Sequence, residues 1–261
     1  MRVKVKKINA FSAYFVILLT FISLVSCKSK SYYNYEVKGS KININEKNDT
    51  DGEIEKFIAP YRTHITKDLD SVLAYCPETL EKSNGKWETN IGSFLANITS
   101  NLANPIFEKR TNKSIDICLL NHGGIRSIIP KGNITTRTAY NVMPFENSVI
   151  VVGLSGLKIK ELVDYFIKER KPHPLHGLKI YVNKNLEVIK LEINNEPIDN
   201  SRIYYVATSD YLANGGDNMS FFVESQEKYD LDYKIRNLLI DYFNKVDTLE
   251  MYSEKILIED N

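Results

Sequence analysis

The spacing of hydrophobic positions changes several times along the chain, and each change predicts an element. In residues 53–75, "EIEKFIAPYRTHITKDLDSVLAY", Ile54, Ile58, Tyr61, Ile65, Leu69 and Val72 recur at helical spacing, with Pro60 as a candidate kink or break. In residues 89–107, Ile91, Leu95, Ile98 and Leu102 share a second helical face, which Pro105 is expected to end. "SIDICLLN" then reads as a buried strand, "TTRTAYNVM" as a short helix and "NSVIVVGL" as another strand. Ser155 is placed to cap the helix "SGLKIKELVDYFIKER", whose stripe is Leu157, Leu162 and Phe166.

Beyond that helix, "LKIYVNKNLEVIKLEIN" predicts two strands around an Asn-containing turn, and "RIYYVATS" a further strand. "DYLANGGDN" reads as a loop, "DYKIRNLLIDYFNKV" as a helix that Asp232 would cap, and "KILIED" as a closing strand. Helices and strands are intermixed and several strands are close enough to pair as hairpins. The pattern predicts an α+β fold, a single mixed α/β domain over residues 52–261 rather than a strict parallel repeat.

The amino end follows different rules. Residues 1–26 carry a basic start, an apolar run from Ala10 to Val25, and small residues before Cys27. This is the layout of an export signal, and the run is short for a membrane span. "LVSC" resembles a bacterial lipobox, which implies cleavage before Cys27 and a lipid on its sulfur. An uncleaved anchor helix is the alternative. The polar residues 27–51 read as a tether, with "KININ" as a candidate short strand. No acidic run follows Cys27, so the expected location is the bacterial cell envelope, lipid-anchored and facing the periplasm.

Composition narrows the function. The 261 residues are 43% hydrophobic, enough for a real core, and the formal charge is +1. Without residues 1–26, Lys+Arg falls from 34 to 30 against 33 Asp+Glu, about −3. That balance gives no electrostatic case for nucleic acid. Cys118 sits in an apolar run, where a packed free thiol is the first reading; Cys76 is the one candidate to pair with it in an oxidising compartment. His173 and His176, in "KPHPLHGL", lack the helical spacing and intervening acid of a zincin and read as a solvated loop. Asn121-His122 is followed by glycine, with no acid and no second histidine nearby, so a dinuclear metal site in this segment is disfavoured.

Two partial signals remain. In "NHGGIR", Gly123 and Gly124 allow unusual φ and close approach, and Arg126 offers a donor fork to phosphate. A strand-end turn with a surface arginine fits equally. Phe145 follows a proline, and Tyr211 opens "YLANGGD", which ends in Asp217; such rings either join a core or sandwich a base.

The order "NHGGIR", "GNIT", "MPFEN", "LSGLKIKELVDYF" and "ATSDYLANGGDNM" resembles the C-terminal domain of the 5′-nucleotidase family, over residues 52–258. That family includes periplasmic nucleotidases, UDP-sugar hydrolases and 2′,3′-cyclic phosphodiesterases. The resemblance implies a domain of the 5′-nucleotidase C-terminal type that recognises a nucleotide while a separate domain holds two metal ions. Matched by position, Phe145 and Tyr211 would stack on the base and Asp217 would bind ribose hydroxyls. Arg126 would neutralise phosphate, and Asn121 and Asn147 would hydrogen-bond the nucleotide. Gly123, Gly124, Gly215 and Gly216 would let the loops approach it.

Four departures stand out. Tyrosine replaces the usual phenylalanine at 211. Lys86 stands near where the family commonly has an arginine, and a Ser-Gly loop is missing from "KERKPHPLHG". The metal domain has no counterpart in this sequence. The expectation is therefore a recognition subunit of a split nucleotidase. It would hold no metal and no catalytic residue of its own, with two divalent metals in a separate metallophosphatase chain. The alternatives are a lipoprotein that captures nucleosides or nucleotides without hydrolysis, and a structural protein that keeps the fold.

Overall fold

The computed structural model describes residues 9–24, 32–45 and 48–259. The chain divides into residues 1–52 and 53–261. Among its described residues the first unit holds one helix, α1 (Ala10–Leu24), whose side chains are exposed as far as they are described. Among the described residues no helix is long and apolar enough to cross a membrane. Cys27 lies outside the described residues. Residues 41–44 form no strand, contrary to the expectation from "KININ".

The second unit opens with α2 (Gly52–Asp70), which runs through Pro60 and buries none of its residues. Its apolar stripe is only partly covered: Ile54, Tyr61 and Ile65 are exposed, while Ile58 and Leu69 are half-buried. The helical period does not extend to Val72, which begins a strand, β1 (Val72–Cys76). β1 pairs antiparallel with β3 (Gly132–Thr135), and an Arg137–Asp70 ion pair ties the end of α2 to the start of α4 (Thr136–Val142).

A five-stranded sheet forms the centre. Its order is β10 (Glu227–Lys234), β4 (Ser148–Ser155), β9 (Ile203–Ser209), β2 (Ile117–Leu119) and β5 (Leu175–His176). Alternation along a strand sends successive side chains to opposite faces. In β4, Val149 and Val151 join one core while Ile150, Val152 and Leu154 join the other. Cys118 likewise faces away from its neighbours Ile117 and Leu119.

The first face is covered by α3 (Asn90–Thr111), α4 and α7 (Ile235–Lys245), with Phe94 and Tyr242 meeting edge-on at 5.5 Å. The second is covered by α5 (Gly156–Glu169) and a four-stranded sheet. That sheet is β11 (Leu257–Glu259), β6 (Leu178–Val182), β7 (Val188–Ile193) and β8 (Glu196–Pro197). Burying each of Phe94, Phe107 and Phe166 stabilises the fold by about 2–3 kcal/mol.

Several boundaries differ from expectation for identifiable reasons. Pro105 lies inside α3, which continues because Phe107, buried against Tyr205 and Tyr229, needs the extra turn. The helix stops at Asn112, left-handed at φ 58°. Ser155 caps α5 as expected, but Ile159, Leu162, Val163 and Phe166 form its buried face and Leu157 is exposed. Asp232 does not cap α7; it sits in an irregularity of β10 with φ 53°, and Lys234 precedes the helix. Cys76 and Cys118 are free buried thiols, and burial pushes both thiol pKa values up.

Candidate functional site

Four chain segments converge at one end of the central sheet. The first leaves β2 through Leu120 and Asn121 into a single 3-10 turn, His122–Gly124. Neither Gly123 nor Gly124 takes a positive φ, so the pair is not needed for unusual backbone angles. Gly124 is needed for space, since a Cβ there would sit 2.7 Å from Asn121 Oδ1. Arg126 follows, its N–H bonded to Val142 O at 2.9 Å. Its guanidinium is exposed, touches Gly123 O at 3.3 Å, and is paired with no carboxylate among the described residues.

The second segment links α4 to β4. Met143 is buried and Phe145 stands 47% exposed, with Arg126 Cζ 6.0 Å from its ring centroid. Asn147 is fixed twice: its carbonyl accepts from Ile235 N at 2.9 Å, and its Nδ2 donates to Asp210 at 2.6 Å.

The third segment follows β9. Ser209 caps a short helix, α6 (Asp210–Ala213), so the expected loop begins as a helical turn. Tyr211 projects from it, 47% exposed. Its hydroxyl donates to Asp217 Oδ1 at 2.9 Å and accepts from the Asp217 N–H at 3.2 Å. Asn121 Nδ2 donates to Asp217 Oδ2 at 2.8 Å, and Tyr165 OH to the Asp217 carbonyl at 2.8 Å. Asp217 is left-handed (φ 52°), as is Gly215 (φ 89°). Gly216 lies against the Tyr211 ring, where a Cβ would meet three ring atoms within 2.6 Å. Burial, with Glu169 and then Asp217 nearby, raises the Tyr165 pKa to about 12.

These segments enclose a cleft of about 470 Å³, within the usual range for a small-molecule site. Asn121, Gly123, Gly124, Arg126, Phe145, Asn147, Tyr211 and Asp217 line it; Gly215 and Gly216 do not, but Gly215 turns the loop and Gly216 lets it pass the Tyr211 ring. Leu120, Met143, Ser209 and Ile235 complete the lining and were not singled out by sequence.

The fourth segment supports the first from below. His173 is buried, not solvated, and its Nδ1 accepts the His122 N–H at 3.2 Å. Its proton therefore sits on Nε2, which has no partner among the described residues. Burial pushes its pKa down to about 4. His176 hydrogen-bonds Glu254 at 2.6 Å. Lys86 does not reach the cleft; it lies over the Trp87 ring at 5.4 Å. Lys82, which no motif marked, donates to Ile125 O at 2.7 Å and so braces the same turn.

The donors do not suit a pair of metal ions. Asp217 is the sole carboxylate lining the cleft, and both its oxygens are engaged by Tyr211 and Asn121. Among the described residues no trio of His, Cys, Asp or Glu is arranged to hold a metal ion.

The chain resembles proteins of known activity. Residues 66–224, more than half of it, match the family model "5′-nucleotidase, C-terminal domain". The Bacillus subtilis trifunctional nucleotide phosphoesterase protein is 30% identical over 61% of this chain and 11% of its own. The Bos taurus 5′-nucleotidase is 25% identical over 76% of this chain and 38% of its own. The chain thus spans less than half of these relatives' length. A 5′-nucleotidase precursor from Thermus thermophilus shares the fold over 79% of this chain and 43% of its own, with TM-score 0.66 and 23% identity. A Haemophilus influenzae NAD nucleotidase does so over 82% and 42%, with TM-score 0.61 and 19% identity. With the family model covering most of the packed body, the chain belongs to the 5′-nucleotidase C-terminal domain family.

Proposed function

We propose that this chain is the nucleotide-recognising part of a 5′-nucleotidase, working with a separate metallophosphatase chain and held at the cell envelope by a lipid on Cys27. The observation that carries the reading is the cleft itself. It places two half-exposed rings, one braced carboxylate and one unpaired guanidinium around a volume suited to a nucleotide. Phe145 and Tyr211 supply stacking faces for a base, a contact that tolerates any base because each has a π-face. Asp217 keeps acceptor capacity for ribose hydroxyls, since each carboxylate oxygen has two lone pairs and gives one to the protein.

Arg126 donates to the phosphate and offsets the charge that grows there during hydrolysis. The reaction of the assembly is phosphomonoester hydrolysis to nucleoside and phosphate. Two divalent metals on the partner supply the activated water. This chain contributes orientation: it fixes base, ribose and phosphate relative to one another before the partner acts.

The test uses the purified chain, AMP and Mn²⁺, with and without the product of any metallophosphatase gene neighbouring its own. Phosphate release only in the mixture is expected. Release from this chain alone would reject the division of labour. Adenosine binding with no release in either arm would favour a capture lipoprotein.

A further inference from the structure

Phe145 stands half-exposed on a loop, with the Arg126 guanidinium beside its ring and no aromatic neighbour among the described residues. The backbone on either side is restrained as well. Pro144 fixes its own φ, and the remaining restraint comes from α7. Arg236 NH1 donates to the Pro144 carbonyl at 3.0 Å, and NH2 donates to the Glu146 carboxylate. One guanidinium thus grips the residues immediately before and after Phe145. Next to it, Ile235 N donates to Asn147 O at 2.9 Å, extending the same seam by one residue.

Arg236 is costly where it stands. It is 5% exposed, and its Nε–H has no acceptor among the described residues. It also lies in the first turn of α7, where the helix dipole disfavours a cation. Helix stability alone would select an acid or a small polar residue there. The guanidinium is instead held by its partners: its Cζ lies 4.2 Å from the Tyr140 ring centroid, and its two terminal nitrogens are spent on the Phe145 loop. A lysine could reach one of those acceptors but could not fork across both.

We infer that Arg236 is a positioning residue that sets the pose of Phe145 and thereby the affinity of the cleft for the ligand's aromatic base. The inference rests on the stacking role given to Phe145 above, and its test separates the two. Glu146 has a 69% exposed side chain, so Glu146→Gln weakens one arm of the clamp without disturbing the core. Arg236→Lys removes the fork.

Adenosine binding is measured by calorimetry on the full chain in detergent, for wild type, Glu146→Gln, Arg236→Lys, Phe145→Ala and the double variant Phe145→Ala/Arg236→Lys. Phe145→Ala is expected to weaken binding at least about tenfold, as loss of one base–aromatic stack does. Each clamp variant should weaken it about three- to tenfold. In the Phe145→Ala background Arg236→Lys should change affinity less than about twofold, because its effect runs through that ring. An equal loss in both backgrounds would mean a general structural role and overturn the inference, as would full affinity in both clamp variants.

Hydrogen exchange supplies a readout that needs no ligand. Amides of residues 145–147 should exchange faster in Glu146→Gln than in wild type while those of β4 stay unchanged. Unchanged exchange at 145–147 would overturn the clamp even if wild type bound no adenosine, an outcome that would itself reject only the nucleotide reading.

Discussion

Tyr211 and Asp217 are bonded to each other twice, hydroxyl to carboxylate at 2.9 Å and backbone N–H to hydroxyl at 3.2 Å. The five intervening residues, the end of α6 and a turn with a left-handed glycine, fold back to allow it. The ring is thereby held before any ligand arrives, and the tyrosine hydroxyl has a structural task.

That task can be separated from stacking. Tyr211→Phe keeps the ring, loses the tether, and frees one lone pair of Asp217 for a ribose hydroxyl. Adenosine affinity should stay within about threefold of wild type, the two effects opposing each other. Tyr211→Ala should lose about tenfold or more. Calorimetry decides: if the two variants are equally weak, the hydroxyl, not the ring, is the ligand contact.

The glycines make a sharper pair. A Cβ on Gly216 would meet the Tyr211 ring at 2.5 Å, so Gly216→Ala must push the ring away and should weaken adenosine binding as much as Tyr211→Ala does. On Gly123 the nearest atom would be 3.5 Å away, an ordinary contact. Gly123→Ala should therefore leave the melting temperature of the free protein unchanged and lower affinity only because the added methyl enters the cleft. A matching fall in melting temperature would show that Gly123 serves the fold.

His173 predicts a pH dependence of stability. Its folded pKa is pushed down to about 4 from the ordinary histidine value of 6.5, because burial disfavours the charged ring. Above pH 6.5 it is neutral in both states and contributes nothing. As pH falls from 6.5 to 4 the unfolded chain takes up a proton that the folded chain refuses, so stability is lost across that window and the loss levels off below it. The cost by pH 4.5 is about 2–3 kcal/mol. His173→Asn, which retains an acceptor for the His122 N–H, should show a smaller loss between pH 7 and 4.5 in urea titrations. Equal losses would mean that other groups dominate acid unfolding.

The chain announced some of this and concealed the rest. β4 and β9 were legible because strands buried on both faces read as continuous apolar runs. Eight of the twelve cleft-lining residues were legible because they cluster in short motifs, whereas Leu120, Met143, Ser209 and Ile235 were not singled out. β10 was not: it is an edge strand with Leu231 as its one fully buried residue, so it carries no hydrophobic pattern. α2 was legible as a helix from its period, which did not show that most of its apolar stripe would stay exposed. The bracing residues were invisible for a different reason. His173 meets His122 across 51 positions, and Arg236 meets Pro144 across 92. Such partners are set by tertiary approach, which a single sequence does not encode locally.

Arg126 offers the most direct separation of phosphate from base. Its guanidinium is exposed and carries only a long bond to Gly123 O, so most of its donors face solvent. Removing it should leave adenosine affinity within about twofold and weaken AMP about tenfold or more, the worth of a charge-assisted hydrogen bond. Arg126→Lys should recover part of the loss, because a point charge attracts phosphate but cannot present two parallel donors. Raising salt should narrow the gap between AMP and adenosine in wild type and leave it nearly flat in Arg126→Ala, since only the former has a cation for salt to screen at that position. Calorimetry with both ligands at two salt concentrations tests all three statements. If Arg126→Ala weakened adenosine and AMP alike, the guanidinium would be acting through Phe145, 6.0 Å away, and the phosphate would have to be held by another group.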